Sequence, residues 1–569
     1  MQRLRRSQAR NFPNVDILIG MRLSFVIPVA AMVILPSFRD ITGVSKVNFK
    51  NDASHTSQKY LPETMGAGVA IFDYDNDGRM DVFLVNGAAL QDPMNAGKLP
   101  DKSAARFWDR LYHNNGDGTF TDVTEKAGVR GQFYGMGVAV GDYDNDGFAD
   151  LYVTGLSGNI LYHNNGNGTF TDVTKRAGVA GAGWSASACF LDYDRDGHLD
   201  LVIARYLDWD FASNIWCGEQ RPGYRSYCHP DHFKPTTHLV YHNQGDGTFT
   251  DASKASGIGA SLGKGLGIAF NDFDRDGWPD IVIANDSFPQ QLFRNKRNGT
   301  FEEVGLTSGM AYDDHGQTFA GMGIDFEDYD NDGWPDVFVN ALSYQKYALF
   351  RNIHSAFEYV SGPSGVSRIT LPYSGWGTKF IDYDNDGWKD VFVGQGHSMD
   401  TIELTQPSIR YMEPLLLMRN VQGKFEDVSA RSGEAFRVPR AARGVAFGDL
   451  DNDGFIDIVV NSNNMPALVL RNQGANGNHW LLVNTIGNTS NRDGIGAKLR
   501  IVSESGLEQH ALVSTAGSYL SASDKRVHFG LGQDKSVKLL EITWPSGRVQ
   551  RLTSVAADQI LTVRESALE

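Results

Sequence analysis

The stretch FDYDNDGRMD, Phe72–Asp81, puts Asp73, Asp75, Asp77 and Asp81 inside nine positions. Carboxylates this close repel one another, and aspartate is a poor former of both helix and strand. The motif is not isolated. DYDNDGFAD supplies Asp142, Asp144, Asp146 and Asp150, and DYDRDGHLD supplies Asp192, Asp194, Asp196 and Asp200. DFDRDGWPD supplies Asp272, Asp274, Asp276 and Asp280, and DYDNDGWPD supplies Asp328, Asp330, Asp332 and Asp336. DYDNDGWKD brings Asp382, Asp384, Asp386 and Asp390, and DLDNDGFID brings Asp449, Asp451, Asp453 and Asp457. All seven copies keep aspartate at positions 1, 3, 5 and 9 and glycine at position 6. Recurrence at spacings of 50 to 80 residues marks a repeat fold.

The spacing D-x-D-x-D-G-x-x-D sets three carboxylates on one side of a tight loop, and a fourth returns from the next strand. Hard cations need this oxygen-rich arrangement. Several flexible carboxylates favour Ca²⁺ over Mg²⁺, which demands strict octahedral geometry and keeps its waters. Seven such loops take up 28 of the 68 acidic residues, and seven Ca²⁺ ions would bring the formal charge from −16 to −2. Up to seven calcium ions are therefore expected, mainly structural. The alternative is an Asp-rich hairpin held by side-chain-to-backbone bonds.

Each copy sits in one frame. A small-residue run such as GAGVAIF or GMGVAVG precedes it, and a buried-strand run such as VFLVN or IVIAN follows. A third strand ends in asparagine, as in LYHNN at Leu111 and LFRN at Leu292, and a turn leads to a fourth, such as FTDV at Phe120. Four short antiparallel strands make a propeller blade, and seven units predict an all-β, seven-bladed propeller. The seventh copy runs from LRN into GANGNHW with no fourth strand. Val47–Ala53, around FKNDAS, is expected to supply it from the N-terminus and so remove two exposed edges.

The seven loops resemble the FG-GAP/VCBS repeats of integrin α-subunit propellers. The chain as a whole looks like a bacterial-type relative of the cartilage acidic protein family. KYLPETMGAGVAIFDYDNDGRMD, Lys59–Asp81, and the aromatic insert opening RYLDWD at Arg205 carry that likeness. From about Gly477 the pattern changes. NHWLLVNTIGNTSNRDGIGAKLRI, GSYLSASDKRVHFGLG and LLEITWPSGRVQRL resemble, in that order, an ASPIC/UnbV module. Expected domains are an N-terminal segment at 1–40, a propeller at 45–476 and the module at 477–566. The resemblance implies export, calcium and interaction roles, with no general enzymatic chemistry.

The N-terminus reads as an export signal, with Arg3, Arg5, Arg6, Arg10 and Arg22 ahead of the apolar run Leu23–Pro36. Met21 is a candidate true start, and an uncleaved membrane anchor is the competing reading. Cys217 and Cys228, within WCGEQRPGYRSYCHP, form a candidate disulfide in an exported chain; free or metal-binding thiols are the alternative. Cys189 reads as a buried strand cysteine. A net charge of −16 argues against nucleic acid as a partner.

Sequence signals for catalysis are weak. No HExxH, GxSxG or phosphate-cradling glycine loop occurs. His113, His163 and His242 share a blade position with Arg294, Arg351, Arg419 and Arg471, which points to packing. Trp278, Trp334 and Trp388 at loop position 7 read as caps over the loops rather than sugar platforms. The insert Arg205–Pro235, with Trp209, Trp216, Tyr224 and Tyr227, reads as a recognition surface or a cover for one face. The chain is expected to be an exported, non-catalytic binding or adhesion protein for a protein or polysaccharide. A lectin, or an accessory enzyme of glycan metabolism, is the alternative.

Overall fold

A computed structural model describes residues 36–95, 97–474 and 476–567. The expected export segment therefore lies outside the described residues, apart from its last few positions. No helix among the described residues is long and apolar enough to cross a membrane.

Seven four-stranded antiparallel sheets follow the seven motifs. Blade one runs Val69–Phe72, Asp81–Leu84, Arg110–Asn114 and Phe120–Asp122, in spatial order from inside to outside. Every second strand begins on the position-9 aspartate, so each acidic loop is the hairpin joining a blade's first two strands. The first two strands of each blade are buried almost throughout, which is why their sequences read as continuous apolar or small runs. The innermost strands neighbour one another in sequence order, and Val69–Phe72 returns to pack beside Ala442–Gly448 of blade seven. The ring is closed.

The closing strand is not Val47–Ala53. Phe38–Asp40 pairs antiparallel with Leu468–Asn472, Phe38 opposite Asn472 and Asp40 opposite Leu470, and completes blade seven. Val47–Ala53 forms no strand there: it meets blade seven through an isolated bridge from Lys50 to Pro466 and through bonds of Asn51 and Ala53 with Asn464. The physical reason is pattern. FRDITG repeats the Phe-x-Asp-x-Thr of the fourth strands in blades one and two, with the side chain of Asp40 capping the N–H of Thr42 as Asp122 caps that of Thr124. Its place directly behind an apolar leader hides that match.

Residues from His479 onward form two further sheets. One pairs His479–Ile486 antiparallel with Val527–Gly532 and parallel with Gln559–Arg564. The other orders Glu508–Leu512, Lys498–Ser503, Ser536–Thr543 and Val549–Ala556. One apolar cluster runs from Leu199, Ile268 and Phe270 of the blades into Leu481, Ile542 and Trp544 of these sheets.

Between those sheets the segment 514–524, STAGSYLSASD, enters the ring and bonds to the inner strand of every blade. Ala522 N–H donates to Val69 O at 3.0 Å, and Val138 N–H donates to Leu520 O at 3.1 Å. Leu520 N–H reaches Ser187 Oγ at 2.9 Å, and Gly517 N–H reaches Ile268 O at 3.2 Å. Ser518 exchanges both backbone bonds with Ile324, accepts on Oγ from Thr378 N–H and donates from Oγ to Val445 O. Tyr519 stands edge-on to Trp376 and its hydroxyl donates to Met65 O at 2.7 Å. Glycine in the inner strands makes room: a Cβ on Gly68 would lie 2.3 Å from Leu520 O. The small-residue runs ahead of each motif are thus the lining of an axis filled by the chain's own C-terminal part.

Phe38 is buried against Tyr383 and Phe436. Phe38→Ala is expected to cost about 3–5 kcal/mol in urea unfolding. Unchanged stability would place ring closure elsewhere.

Candidate functional site

The acidic loop is built the same way in every blade. Position 6 is a glycine with φ between 83° and 95°, and position 4 also lies in the left-handed region, at 56° to 62°. Asparagine tolerates that conformation, and it fills position 4 in five of the seven loops. In loop one, Asp73 Oδ1 accepts from Asp77 N–H and Oδ2 from Gly78 N–H. Asp77 Oδ1 accepts from Arg79 N–H. The backbone therefore holds the carboxylates in place despite their repulsion.

Position 9 does a different job. Asp81 Oδ1 accepts from Asn114 N–H at 2.8 Å and Oδ2 from Tyr74 N–H at 3.1 Å. The same pair of bonds recurs at Asp150, Asp200, Asp280, Asp336, Asp390 and Asp457. The third-strand asparagine then reaches across to the neighbouring blade. Asn164 Nδ2 donates to Tyr74 O, Asn243 to Tyr143 O and Asn295 to Tyr193 O. Asn352, Asn420 and Asn472 repeat this, and Asn114 closes the circle on Leu450 O.

Position 4 makes a second belt. Asn76 Nδ2 donates to Gly147 O and Asn145 to Gly197 O. Asn331 reaches Gly387 O, Asn385 reaches Gly454 O, and Asn452 returns to Gly78 O. In the two loops where arginine replaces asparagine, Arg195 lies over the Trp278 ring and Arg275 over the Trp334 ring, at 5.2 and 5.1 Å. These tryptophans join neighbouring loops. Phe148 and Phe455 lie over Gly166 and Gly474 of their own blades' turns.

Six of the seven loops keep a buried carboxylate oxygen with no partner. The Oδ1 atoms of Asp75, Asp144, Asp194, Asp274, Asp330 and Asp384, all at position 3, are buried without a hydrogen-bond partner. Ligand atoms of Asp73, Asp75 and Asp81 lie within 4.8 Å of one another. Buried, unpartnered and mutually close carboxylates fit a hard divalent cation. The third-strand histidines pack edge-on against the position-2 tyrosines and also face the cluster. His113 Nδ1 is 3.3 Å from Asp75 and 3.4 Å from Asp81, and His163 and His242 repeat the geometry. Arg294, Arg351, Arg419 and Arg471 reach the position-3 aspartate from the same place. Packing explained only half of that position; the shared use of histidine and arginine, both able to donate N–H bonds to a carboxylate, was the signal for the rest.

Burial, without a cation, pushes the carboxyls of Asp81, Asp142 and Asp192 up to about 8 from an ordinary 3.8. Neighbouring aspartates add to the effect.

The C-terminal sheets sit on this loop face. Asp142 N–H donates to Asp493 Oδ2, and Lys498 Nζ pairs with Asp272. Arg195 Nε donates to Pro545 O at 2.7 Å, and Arg526 reaches Asn452 Oδ1 and Asp449 O. Connections from second to third strands leave by the opposite face. There the insert at 206–238 carries the Cys217–Cys228 disulfide, with Cα atoms 5.2 Å apart. The connection at 396–415 meets the insert around a cleft of about 240 Å³ that includes Tyr224, Tyr227, His229, His232, Thr401 and Thr405. Tyr227 hydroxyl donates to Glu63, whose carboxyl is raised to about 7 by burial. Trp216 is 43% exposed, with Arg225 over its ring at 4.9 Å. Cys189 is buried in its strand.

Blades of this kind, joined loop to loop by aspartate and asparagine, define a propeller of acidic-loop repeats. The chain belongs to the FG-GAP-like repeat family, which matches residues 73–153, 144–203, 235–283, 272–339, 328–393 and 382–460. Residues 487–569 match the family described as ASPIC and UnbV. Cartilage acidic protein 1 of Xenopus tropicalis is 26% identical over 321 residues, covering 55% of this chain and 47% of that protein. The human protein of that name is 25% identical over 334 residues, covering 58% and 40%. The chain thus aligns with less than half the length of these curated relatives. An Agrocybe aegerita lectin structure, described as recognising non-reducing terminal N-acetylglucosamine, is 16% identical with a TM-score of 0.37, covering 64% of this chain and 79% of its own.

The raised carboxyls set a pH dependence. In the unfolded chain these aspartates ionise near 3.8, while the folded, metal-free chain holds their protons until about pH 8. Metal-free stability is then lost as pH rises through that window, because the folded state binds more protons than the unfolded one. The melting temperature of chelated protein is expected to fall from pH 5 to pH 8, and added Ca²⁺ to raise it more at pH 8. A metal-free melting temperature that rises over this range would contradict the assignment.

Proposed function

We propose that this chain is an exported, calcium-stabilised propeller acting as a non-catalytic binding protein for a protein or polysaccharide partner. The observation that carries the reading is the division of labour between the two faces. The loop face and the axis are filled by the chain's own C-terminal sheets. The opposite face presents a disulfide-pinned aromatic insert beside a cleft. Rigid loops on a scaffold are a common place for recognition.

Calcium is supported by the aspartate oxygens at positions 1, 3 and 5, with no thiolate in any loop, although in blades one to three a histidine also faces them. Bound there, the ion neutralises carboxylates whose charge would otherwise strain the belt. Export is supported by the disulfide, which persists in oxidising compartments. The loop recurs in all seven blades and its carboxylates at positions 1, 5 and 9 accept backbone N–H groups, which favours scaffold over active site. A lectin is the second reading, favoured by the tyrosine- and histidine-lined cleft next to Trp216.

Binding to arrayed polysaccharides and extracellular proteins tests the face. Trp216→Ala is expected to weaken the partner found by about 2 kcal/mol, as for an aromatic hot spot. Equal binding by this variant would move recognition away from the insert, and turnover of any glycan would replace the binding reading with an enzymatic one. Ca²⁺, but not equimolar Mg²⁺, is expected to raise the melting temperature of chelated protein.

A further inference from the structure

A second cleft, of about 550 Å³, separates acidic loops one and two from the face of the three-stranded C-terminal sheet. It lies on the face opposite the insert, and its case does not depend on what the insert binds. Its volume falls within the range of small-molecule sites, and such sites favour junctions between packed units.

The sheet wall is made by alternate residues. Asn484 pairs with Thr562 and Ile486 with Arg564 across the parallel strands, so these four side chains share one face and all line the cleft. A second arginine, Arg492, enters from the turn that docks on loop two, where its N–H donates to Asn145 Oδ1 at 2.7 Å. The charges around the cleft are unequal. Asp493 is answered by Lys525 Nζ at 2.7 Å and Asp524 by Arg526 at 2.7 Å. The guanidinium groups of Arg492 and Arg564 have no carboxylate or hydrogen-bond partner among the described residues, and both residues are exposed. The Asn484 Oδ1 atom is buried with no hydrogen-bond partner. Asp73 of loop one also lines the cleft, with its carboxylate held by the N–H groups of Asp77 and Gly78, so the lining carries four basic and three acidic side chains, and the two guanidiniums are its unpaired cations.

Arginine binds carboxylate through paired, planar N–H donors. The remaining wall offers an amide and a hydroxyl, from Asn484 and Thr562, beside the aliphatic Ile486. That combination suits a sugar ring, with hydroxyls to bond and one apolar face. A peptide strand would need a free backbone edge, whereas this sheet turns a face to the cleft.

We propose that this cleft binds a uronate residue of an acidic polysaccharide, its carboxylate held between Arg492 and Arg564 and its hydroxyls facing Asn484 and Thr562. Calorimetry on the calcium-loaded full chain tests it with trigalacturonate and with the fully methyl-esterified trimer, which keeps the sugar ring and removes the charge. The acid is expected to bind and the ester to bind at least about 10-fold more weakly, the loss typical of a charge-assisted bond. The Arg492→Gln/Arg564→Gln double variant is expected to lose about 10-fold or more for the acid at unchanged melting temperature. If the double variant melts early, the two single variants carry the comparison. Trp216→Ala is expected to leave this binding intact, which separates it from the insert face. No binding of the acid by the native chain, equal binding of acid and ester, or equal binding by correctly folded arginine variants would each overturn the proposal.

Discussion

At the start of the second strand in each blade stands a carboxylate with no access to solvent. Both its oxygens accept backbone N–H bonds, one from its own acidic loop and one from the third-strand asparagine. That asparagine carries the connection to the preceding blade. The chain of contacts from loop to aspartate to asparagine to the next loop runs around the whole ring. Blade packing, module docking and the filled axis all rest on its geometry. An unsatisfied buried carboxylate costs far more than a paired one contributes, so the arrangement holds only while each partner is present.

This constraint explains why the loops are so alike. A position that bonds a neighbour's backbone cannot drift without loosening two blades. Position 4 adds a second belt on the outside of the first, through asparagine amides or arginine over tryptophan. The C-terminal sheets then seat on the loops, and their segment 514–524 threads the axis and bonds all seven inner strands. The propeller and its C-terminal part therefore form one continuously hydrogen-bonded unit, and the two recognition surfaces proposed above lie on its far face and at the seam.

Much of this was legible in the sequence. The repeats, the strand order within a blade, the acidic clusters and the Cys217–Cys228 pair follow from local spacing, and local spacing is what a single sequence records. Three features were not. The closing strand Phe38–Asp40 sits directly behind an apolar leader, and that context masked its Phe-x-Asp pattern. The cross-blade bonds of Asn114 and its equivalents join residues of different blades, and a recurring asparagine reads equally well as a turn. The segment STAGSYLSASD gives no periodic signal, because it bonds mostly through its backbone and small hydroxyls. The lining glycines, such as Gly68 and Gly267, were visible only as small-residue runs. At Gly68 the cause is the close approach of Leu520, and at Gly267 it is that of Met322 from the next blade, with Ser518 beyond it.

Calcium in the acidic loops is proposed to be coupled to the threaded axis. Native-state hydrogen exchange, with and without a calcium chelator, tests it most directly. Chelation is expected to lower protection together at the seven third-strand asparagine amides, Asn114 through Asn472, and at the amides of Gly517, Leu520 and Ala522. Loss of protection confined to the loop tips, with the axial amides unchanged, would contradict it.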